Sequence, residues 1–354
     1  MKHMSQIKKK YLDILNEIDR EHTESGNYHR NSKVLIIDGL NTFIRSWSTA
    51  PNLNDDGDHI GGIVGTLKSI GYAIRTLNPT RVIVVFDGKG GAKNRQKIYS
   101  SYKEDRAKNK LRLNRAYTDM MNREDEQISL RRQIAALGDI LTTLPVTVMM
   151  YDGIEADDVI GYIATEIIKE DMSLQIMSSD KDFLQLVKKN IQVYSPTKKK
   201  IYTISEVVDE FGIHPHNFIN FRIMDGDASD SISGVKGLGI KTIIKNFKPL
   251  TEEIHFTIEQ LADWVKNQPK QTSAHTNFLS NLDICERNRR LMSLSELEFS
   301  GQLKLKIVDQ WNDETPRFDR FEFMKTGMKY KILDSFGNVT DWLNSTFSNL
   351  NRYN

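Results

Sequence analysis

Nine carboxylates fall into five short clusters in this chain: Asp38, Asp87, Glu155-Ala-Asp157-Asp158, Asp180-Lys-Asp182 and Asp227-Ala-Ser-Asp230. Most of them follow apolar, strand-like runs. Residues 33–37 (KVLII) lead into Asp38, residues 81–86 (RVIVVF) into Asp87, and residues 173–177 (SLQIM) stop just short of Asp180. A further run of this kind is 146–150 (VTVMM). Between these runs, residues 62–77, 128–144 and 155–169 have the length and apolar spacing of helices. Strands therefore alternate with helices, which predicts an α/β protein built on a parallel sheet. Function in such sheets gathers at the carboxyl ends of the strands, and three acids from separate strands are thereby predicted on one edge.

Acids gathered in this way raise one another's pKa and cost folding energy unless cations neutralise them. Oxygen-only ligand sets select Mg²⁺ or Mn²⁺, and the lone Cys285 with scattered histidines offers no zinc pattern. The sequence thus predicts a magnesium-type site acting on phosphate. Each cluster also has a plainer reading. Glu155, Asp157 and Asp158 open a helix just after Gly153, where acids complement the helix dipole, and Asp180 after Ser178 and Ser179 fits an N-cap. A cap needs one acid of the Asp180/Asp182 pair, however, and the predicted shared edge favours the metal reading.

Net charge is only +2, but its distribution is uneven. Lys93, Arg95, Lys97, Lys103, Arg106, Lys108, Lys110, Arg112 and Arg115 are opposed only by Glu104 and Asp105 over that stretch, which reads as a local phosphate-binding surface. A chain of 354 residues, 39% hydrophobic and 27% charged, predicts a globular protein of about two domains. One cysteine excludes an internal disulfide framework and fits a reducing, cytoplasmic setting. No apolar run approaches a membrane span. Residues 1–31 lack the apolar stretch of a signal peptide, and Ile7, Tyr11, Ile14, Leu15 and Ile18 recur at helical spacing, predicting a short amphipathic helix packed on the main body.

The strands predicted near 191–195 and 200–203 finish the sheet or form a hairpin around Pro196. From Ser205 the pattern turns to short helices, to about Arg290, centred on Gly234-Val-Lys-Gly-Leu-Gly-Ile-Lys-Thr242. A P-loop requires Gly directly before Lys-Ser/Thr; here Ile240 precedes Lys241 and no strand leads into Gly234, which argues against a Walker motif. Gly237 and Gly239 instead let backbone approach phosphate closely, and the helix beginning near Ile240 presents N–H groups to an anion. In residues 291–354, Trp311, Phe318, Phe321, Phe323, Tyr330, Phe336 and Trp342 read as core packing.

Together these residues resemble the 5′-nuclease superfamily: flap endonucleases, phage 5′ to 3′ exonucleases of the ribonuclease H type, and the 5′-nuclease domains of bacterial DNA polymerases. The resemblance runs from about 33 to 247 through IIDGLN, VVFDG, Tyr-Lys-x-x-Arg at 102–106, Glu-Ala-Asp-Asp at 155–158, SSDKDF and GDASDSISGVKGLGIKT. One departure is Ser231-Ile-Ser-Gly234, where the family commonly has Asn-Ile-Pro-Gly. The resemblance implies a PIN-like parallel-sheet core at 32–204 with a helical arch at about 93–126. A helix-hairpin-helix (helix-three-turn-helix) subdomain at 205–290 and a C-terminal region at 291–354 packing on the core would follow. The stand-alone length looks most like a phage or bacterial enzyme.

By the same resemblance, Asp38, Asp87, Glu155, Asp157 and Asp158 would hold a first metal, and Asp180, Asp182, Asp227 and Asp230 a second. Lys103 and Arg106, one helical turn apart, would clamp the scissile phosphate as catalytic residues. Tyr102 would stack on the terminal base, and Arg95 would join the DNA contacts. Gly234, Lys236, Gly237, Gly239, Lys241 and Thr242 would grip the duplex, with K⁺ at the hairpin carbonyls. The expected substrate is branched or flapped DNA, extending to RNA–DNA hybrids, cut by a monomer with no membrane partner. Rival readings are a nuclease-fold DNA-binding protein without catalysis and a PIN-type ribonuclease, which lacks the hairpin and the acids at 227 and 230. A haloacid-dehalogenase phosphatase would need Asp two residues after Asp38, where Leu40 stands.

Overall fold

Apolar runs buried on both faces make the central strands of this protein nearly continuous in Val, Ile and Leu. The structure is a computed structural model and describes residues 29–104, 114–116 and 122–353. In chain order, β1 (Lys33–Asp38), α1 (Gly39–Thr49), α2 (Gly61–Leu77), β2 (Arg81–Asp87), α3 (Lys93–Ile98), α4 (Arg123–Leu141) and β3 (Thr147–Tyr151) form the first half of the sheet. Then come α5 (Ala156–Tyr162), continued by a π-turn at Ile163–Ile167, β4 (Ser173–Met177), a 3₁₀ turn (Lys181–Leu186), β5 (Ile191–Ser195) and β6 (Lys200–Tyr202).

These strands lie in the order β3-β2-β1-β4-β5-β6, parallel except for β6, which closes an antiparallel hairpin with β5. Ile36 pairs with Ile83 on one side and Ile176 on the other. The chain reverses its direction of travel between β1 and β4, and the carboxyl ends of those two strands flank the switch point. The expected α/β architecture is therefore present, and the turn around Pro196 both finishes the sheet and forms the hairpin.

Alternation along each strand divides the core. Val34, Ile36, Ile83, Val85, Leu174 and Ile176 face one apolar cluster, while Leu35, Ile37, Val82, Val84 and Met177 face the other. The second face is covered by Phe43 and Trp47 of α1, by Val64, Leu67 and Ile70 of α2, and by Ala136, Leu137 and Ile140 of α4. α2 carries its apolar residues at helical spacing and stops where Asn78 turns left-handed at φ 45°. α4 starts from a capping box between Asn122 and Asp125.

The remaining elements are α6 (Ile204–Phe211), α7 (Phe218–Asp225), a two-residue ladder of β7 (Gly226–Asp227) and β8 (Ile232–Ser233), α8 (Ile240–Asn246), α9 (Ile258–Lys266), α10 (Ser273–Leu279) and α11 (Leu282–Met292). Val207, Phe218, Ile243, Phe247, Leu261 and Phe278 from these helices lie in the same cluster as Ile36 and Ile176. In the C-terminal region α12 (Gly301–Asn312) adds Ile307 and Trp311 to that cluster. Beyond it, α13 (Arg320–Lys329) and α14 (Val339–Phe347) place Phe323, Leu343 and Phe347 on the opposite face. The reading of the C-terminal aromatics as core holds except at Phe321, which is 75% exposed; Phe323, two residues on along α13, points to the core in its place. The predicted helix before residue 29 lies outside the described residues, and among the described helices none is long and apolar enough to cross a membrane.

Leu35 and Ile36 are both fully buried, one on each face of the sheet. Substituting either by Ala is expected to cost about 2–5 kcal/mol. Urea denaturation checks this, and a loss below about 1 kcal/mol at either position would contradict the two-faced core.

Candidate active site

Each acid of the site is delivered by the end of a strand or the start of a helix. Asp38 ends β1 and caps α1, its Oδ1 accepting from the Asn41 N–H at 3.1 Å while Oδ2 accepts from the Ser178 hydroxyl at 3.0 Å. Ser178 follows β4, so this contact spans the switch point. Asp87 ends β2, and its Oδ1 accepts from the Ala156 N–H at 2.8 Å, pinning the start of α5. Asp180 caps the 3₁₀ turn by accepting from the Asp182 N–H at 2.9 Å. The capping role is thus real, and it leaves the rest of the cluster unexplained.

Glu155, Asp157 and Asp158 bring ligand oxygens within 4.8 Å of one another. Into this group projects Arg95 of α3, which is 7% exposed. Its Nη1 donates to Glu155, its Nη2 donates to Asp158 at 2.7 Å and lies 3.2 Å from Asp157, and its Nε donates to the Leu291 carbonyl at 2.8 Å. The Lys103 ammonium also reaches Glu155. The Tyr102 hydroxyl donates to Glu155 at 3.1 Å and stands 3.5 Å from Asp230.

Three sequence expectations change here. Arg95 is a buried counter-ion of the acids, so it presents no guanidinium to DNA in this arrangement. Tyr102 is 2% exposed, with its ring beneath the Lys103 ammonium at 4.9 Å, and it has no open face for a base. Lys103 is not itself helical. It sits in a turn at φ 58°, where its N–H donates to the Asp230 carbonyl at 2.9 Å. Arg106 itself, and with it most of the expected arch, lies outside the described residues.

A second group forms around α7. Arg222 donates through Nε to Asp182, through Nη2 to Asp227 at 2.8 Å and through Nη1 to the Gly226 carbonyl at 3.2 Å. Asp227 also accepts from the Ser229 N–H at 2.8 Å and hydroxyl at 2.7 Å. Sequence reasoning missed Arg222. The available signal was a single cation in the apolar run 218–224 (FINFRIM), directly before two acids.

Beyond this group lies the glycine hairpin. A Cβ at Gly234 would fall 2.2 Å from the Asp225 carbonyl oxygen, and one at Gly226 would meet the Gly234 nitrogen at 2.3 Å, so both positions require glycine. Val235 N–H donates to the Met224 carbonyl at 2.8 Å, and Asn277 donates to the Lys236 carbonyl at 3.1 Å. Gly237 turns at φ 83°, Gly239 opens α8, and Lys236 and Lys241 are exposed, as is Gly239.

Electrostatics tie the two acid groups together. Burial, with Asp87 and Asp180 nearby, pushes Asp38 up to about 7. Burial and Asp157 do the same to Asp158, and burial and Asp180 to Asp182, each to about 7. Burial raises Asp87 and Asp180 as well, and both also feel Asp157. Burial opposes ionisation of Glu155, yet Arg95 and Lys103 hold its carboxyl below the usual range. The chain's own cations therefore satisfy part of the cluster and leave carboxylates short of positive charge. An all-oxygen donor set in that condition fits a hard divalent cation, and Glu155, Asp157 and Asp158 lie close enough together to share one.

A doubly wound sheet that gathers acids over its switch point, beside a glycine hairpin flanked by exposed lysines, is the frame of a phosphodiester-cleaving nuclease. A family model described as 5′-3′ exonuclease, N-terminal resolvase-like domain, matches residues 33–212, and a 5′-3′ exonuclease of Buchnera aphidicola subsp. Acyrthosiphon pisum is 33% identical over 291 residues, 80% of this chain and 92% of that protein. The chain belongs to the 5′-3′ exonuclease family of the 5′-nuclease superfamily, and it is a 5′ nuclease. The 5′-3′ exonuclease of Aquifex aeolicus is 29% identical over 277 residues, 77% of this chain and 87% of that protein. In fold, the chain is similar to the bacteriophage T5 D15 flap endonuclease solved with DNA and metal ions, with a TM-score of 0.59 at 17% identity, covering 83% of this chain and 99% of the other.

The raised acids set a sign for pH dependence. Asp38, Asp158 and Asp182 titrate near 7 when folded and near 4 when unfolded, so the folded state binds more protons between those values and metal-free stability falls as pH rises through them. Thermal melts in EDTA are expected to give a Tm higher at pH 5.5 than at pH 8 by roughly 5 °C, and a saturating divalent ion should remove most of that difference. A Tm in EDTA that rises toward pH 8 would contradict the charge balance described.

Proposed function

We propose that this nuclease uses Mg²⁺ or Mn²⁺, as two ions, to cut flapped or branched DNA near single-strand/duplex junctions and to remove RNA-primed 5′ ends during replication. The observation that carries this reading is the convergence of acids from three separate chain segments, at Glu155, Asp182 and Asp227, on cations supplied by Arg95, Lys103 and Arg222. What divalent ions supply when bound at such acids is neutralisation of the phosphodiester, acidification of a water and stabilisation of a leaving 3′ oxygen.

The chain's residues do the rest. Asp38, Asp87, Glu155, Asp157 and Asp158 would hold one ion and Asp180, Asp182, Asp227 and Asp230 the other, with Arg95 fixing the spacing of the first group. Lys103 leaves Glu155 for the scissile phosphate, joined by Arg106, because a phosphodiester offers its ammonium a second anionic partner beside the first. The duplex lies against the hairpin, where backbone N–H groups from Gly234 to Thr242, with Lys236 and Lys241, contact phosphates without reading sequence. K⁺ at the hairpin carbonyls would hold that contact. The products carry 5′-phosphate and 3′-hydroxyl ends, and the enzyme works as a monomer in the cytoplasm.

A labelled 5′-flap and an RNA-primed duplex, incubated with Mg²⁺ or with EDTA, test the reading directly. Cleavage is expected only with the metal, and Asp180→Asn should lower it at least roughly a hundredfold. Binding without metal-dependent cleavage would make the chain a nuclease-fold DNA-binding protein, and cutting confined to single-stranded RNA would make it a PIN-type ribonuclease. Flap affinity should fall by about a hundredfold or more between 50 and 200 mM salt, as counterions are released at several phosphate contacts; a flat response would remove the hairpin and arch from the binding surface.

A further inference from the structure

Asp182 follows β4 and Asp227 lies on β7 beyond α7, so nothing in the sheet itself holds the two together. Arg222 does. It is 7% exposed, and its guanidinium spends Nε on Asp182, Nη2 on Asp227 and Nη1 on the Gly226 carbonyl. The helix that carries it is fixed in turn, because Asn288 of α11, fully buried, donates to the carbonyls of Ile223 at 2.9 Å and Ser233 at 3.0 Å. A planar fork locked in this way is a permanent charge, since a guanidinium does not deprotonate in proteins.

We propose that Arg222 is the resident cation of the outer acid group: a positioning residue that fixes Asp182 against Asp227 and keeps that group's affinity for a divalent ion low in the absence of DNA. The inference rests on the reading of these acids as metal ligands. Two of the four outer carboxylates already share a full positive charge at hydrogen-bond distance. An incoming divalent ion meets that charge as repulsion and finds the acids partly neutralised. The inner group has the same design in Arg95 and Lys103, but Glu155, Asp157 and Asp158 crowd their oxygens within 4.8 Å and gain further acids from Asp38 and Asp87. The two groups should therefore differ in affinity, with Arg222 setting the weaker one.

The test is a Mn²⁺ titration of the full chain without DNA, read by calorimetry and by the EPR signal of free Mn²⁺. The wild type is expected to show a tight and a weak class of site. Arg222→Gln should tighten the weak class by roughly tenfold or more, and Arg222→Lys, which keeps the charge, should stay within roughly threefold of wild type. A purely structural role predicts loss of the weak class in the Gln variant, so an unchanged or weakened class overturns the proposal. Should Arg222→Gln not fold, the wild type decides alone: the Arg222 Nε–H resonance, donated to Asp182, must shift in step with filling of the weak class under Mg²⁺, and a resonance that stays fixed overturns the proposal. A wild type that binds no Mn²⁺ at all takes down the metal reading itself, and this inference with it.

Discussion

Like-charge repulsion at the carboxyl edge of the sheet is the constraint around which this protein is arranged. Isolated carboxylates at this depth would protonate or drive the edge apart. The chain answers with buried arginines held from behind by main-chain carbonyls: Arg95 by Leu291 and Arg222 by Gly226. Arg95 anchors its acids to α11, and Arg222 anchors Asp182 to α7 and to the Asp227 that follows it. The charge pairs thus also decide how the helices after residue 205 sit on the sheet, in addition to the shared apolar cluster beneath them.

The compensation is incomplete by construction. Among the described residues, Arg95, Lys103 and Arg222 pair with Glu155, Asp157, Asp158, Asp182 and Asp227, and burial with neighbouring acids still pushes Asp38, Asp158 and Asp182 toward neutral pH. A fold selected only for stability would replace such a cluster with apolar residues, since buried ion pairs are at best neutral against a well-packed hydrophobic alternative. Retaining it makes sense where an exchangeable cation and a polyanionic substrate complete the balance. The Lys103 turn has the same logic. A non-glycine residue at φ 58° costs of order 1–2 kcal/mol, and here that conformation places an ammonium on Glu155 and a backbone N–H on Asp230 at once.

Much of this was legible in the sequence where chemistry and local pattern coincide. Asp38, Asp87 and Asp180 stand at the ends of runs whose β character is unmistakable, and a parallel sheet has only one carboxyl edge to offer them. The sequence marked Gly237 and Gly239 for close backbone approach, whereas the main-chain approaches that leave no room for a Cβ fall at Gly226 and Gly234. What was not legible depends on tertiary direction. Arg95 sits in a stretch dense with lysine and arginine, and nothing in that run distinguishes a cation facing DNA from one facing Glu155. Tyr102 has the composition of a stacking residue, but α11 closes over it with Leu291 and Met292. Arg222 hides in a helix whose other residues advertise only burial.

The segment 99–103 and the outer acids are also mechanically one piece, which under the proposed function would couple substrate to metal. Lys103 binds the Asp230 carbonyl and Tyr102 approaches its carboxylate; Ser231, next along, is held left-handed at φ 59°. Two residues on, Ser233 offers its carbonyl to Arg287, whose guanidinium lies 4.4 Å over the Tyr99 ring. The segment 99–103 is therefore clasped at both ends to the loop that carries Asp227 and Asp230. A phosphate that draws Lys103 off Glu155 must pull on that loop, and a cation that settles among the outer acids must pull on the turn. Coupling of this kind needs no long-range pathway, because a single short loop belongs to both sites.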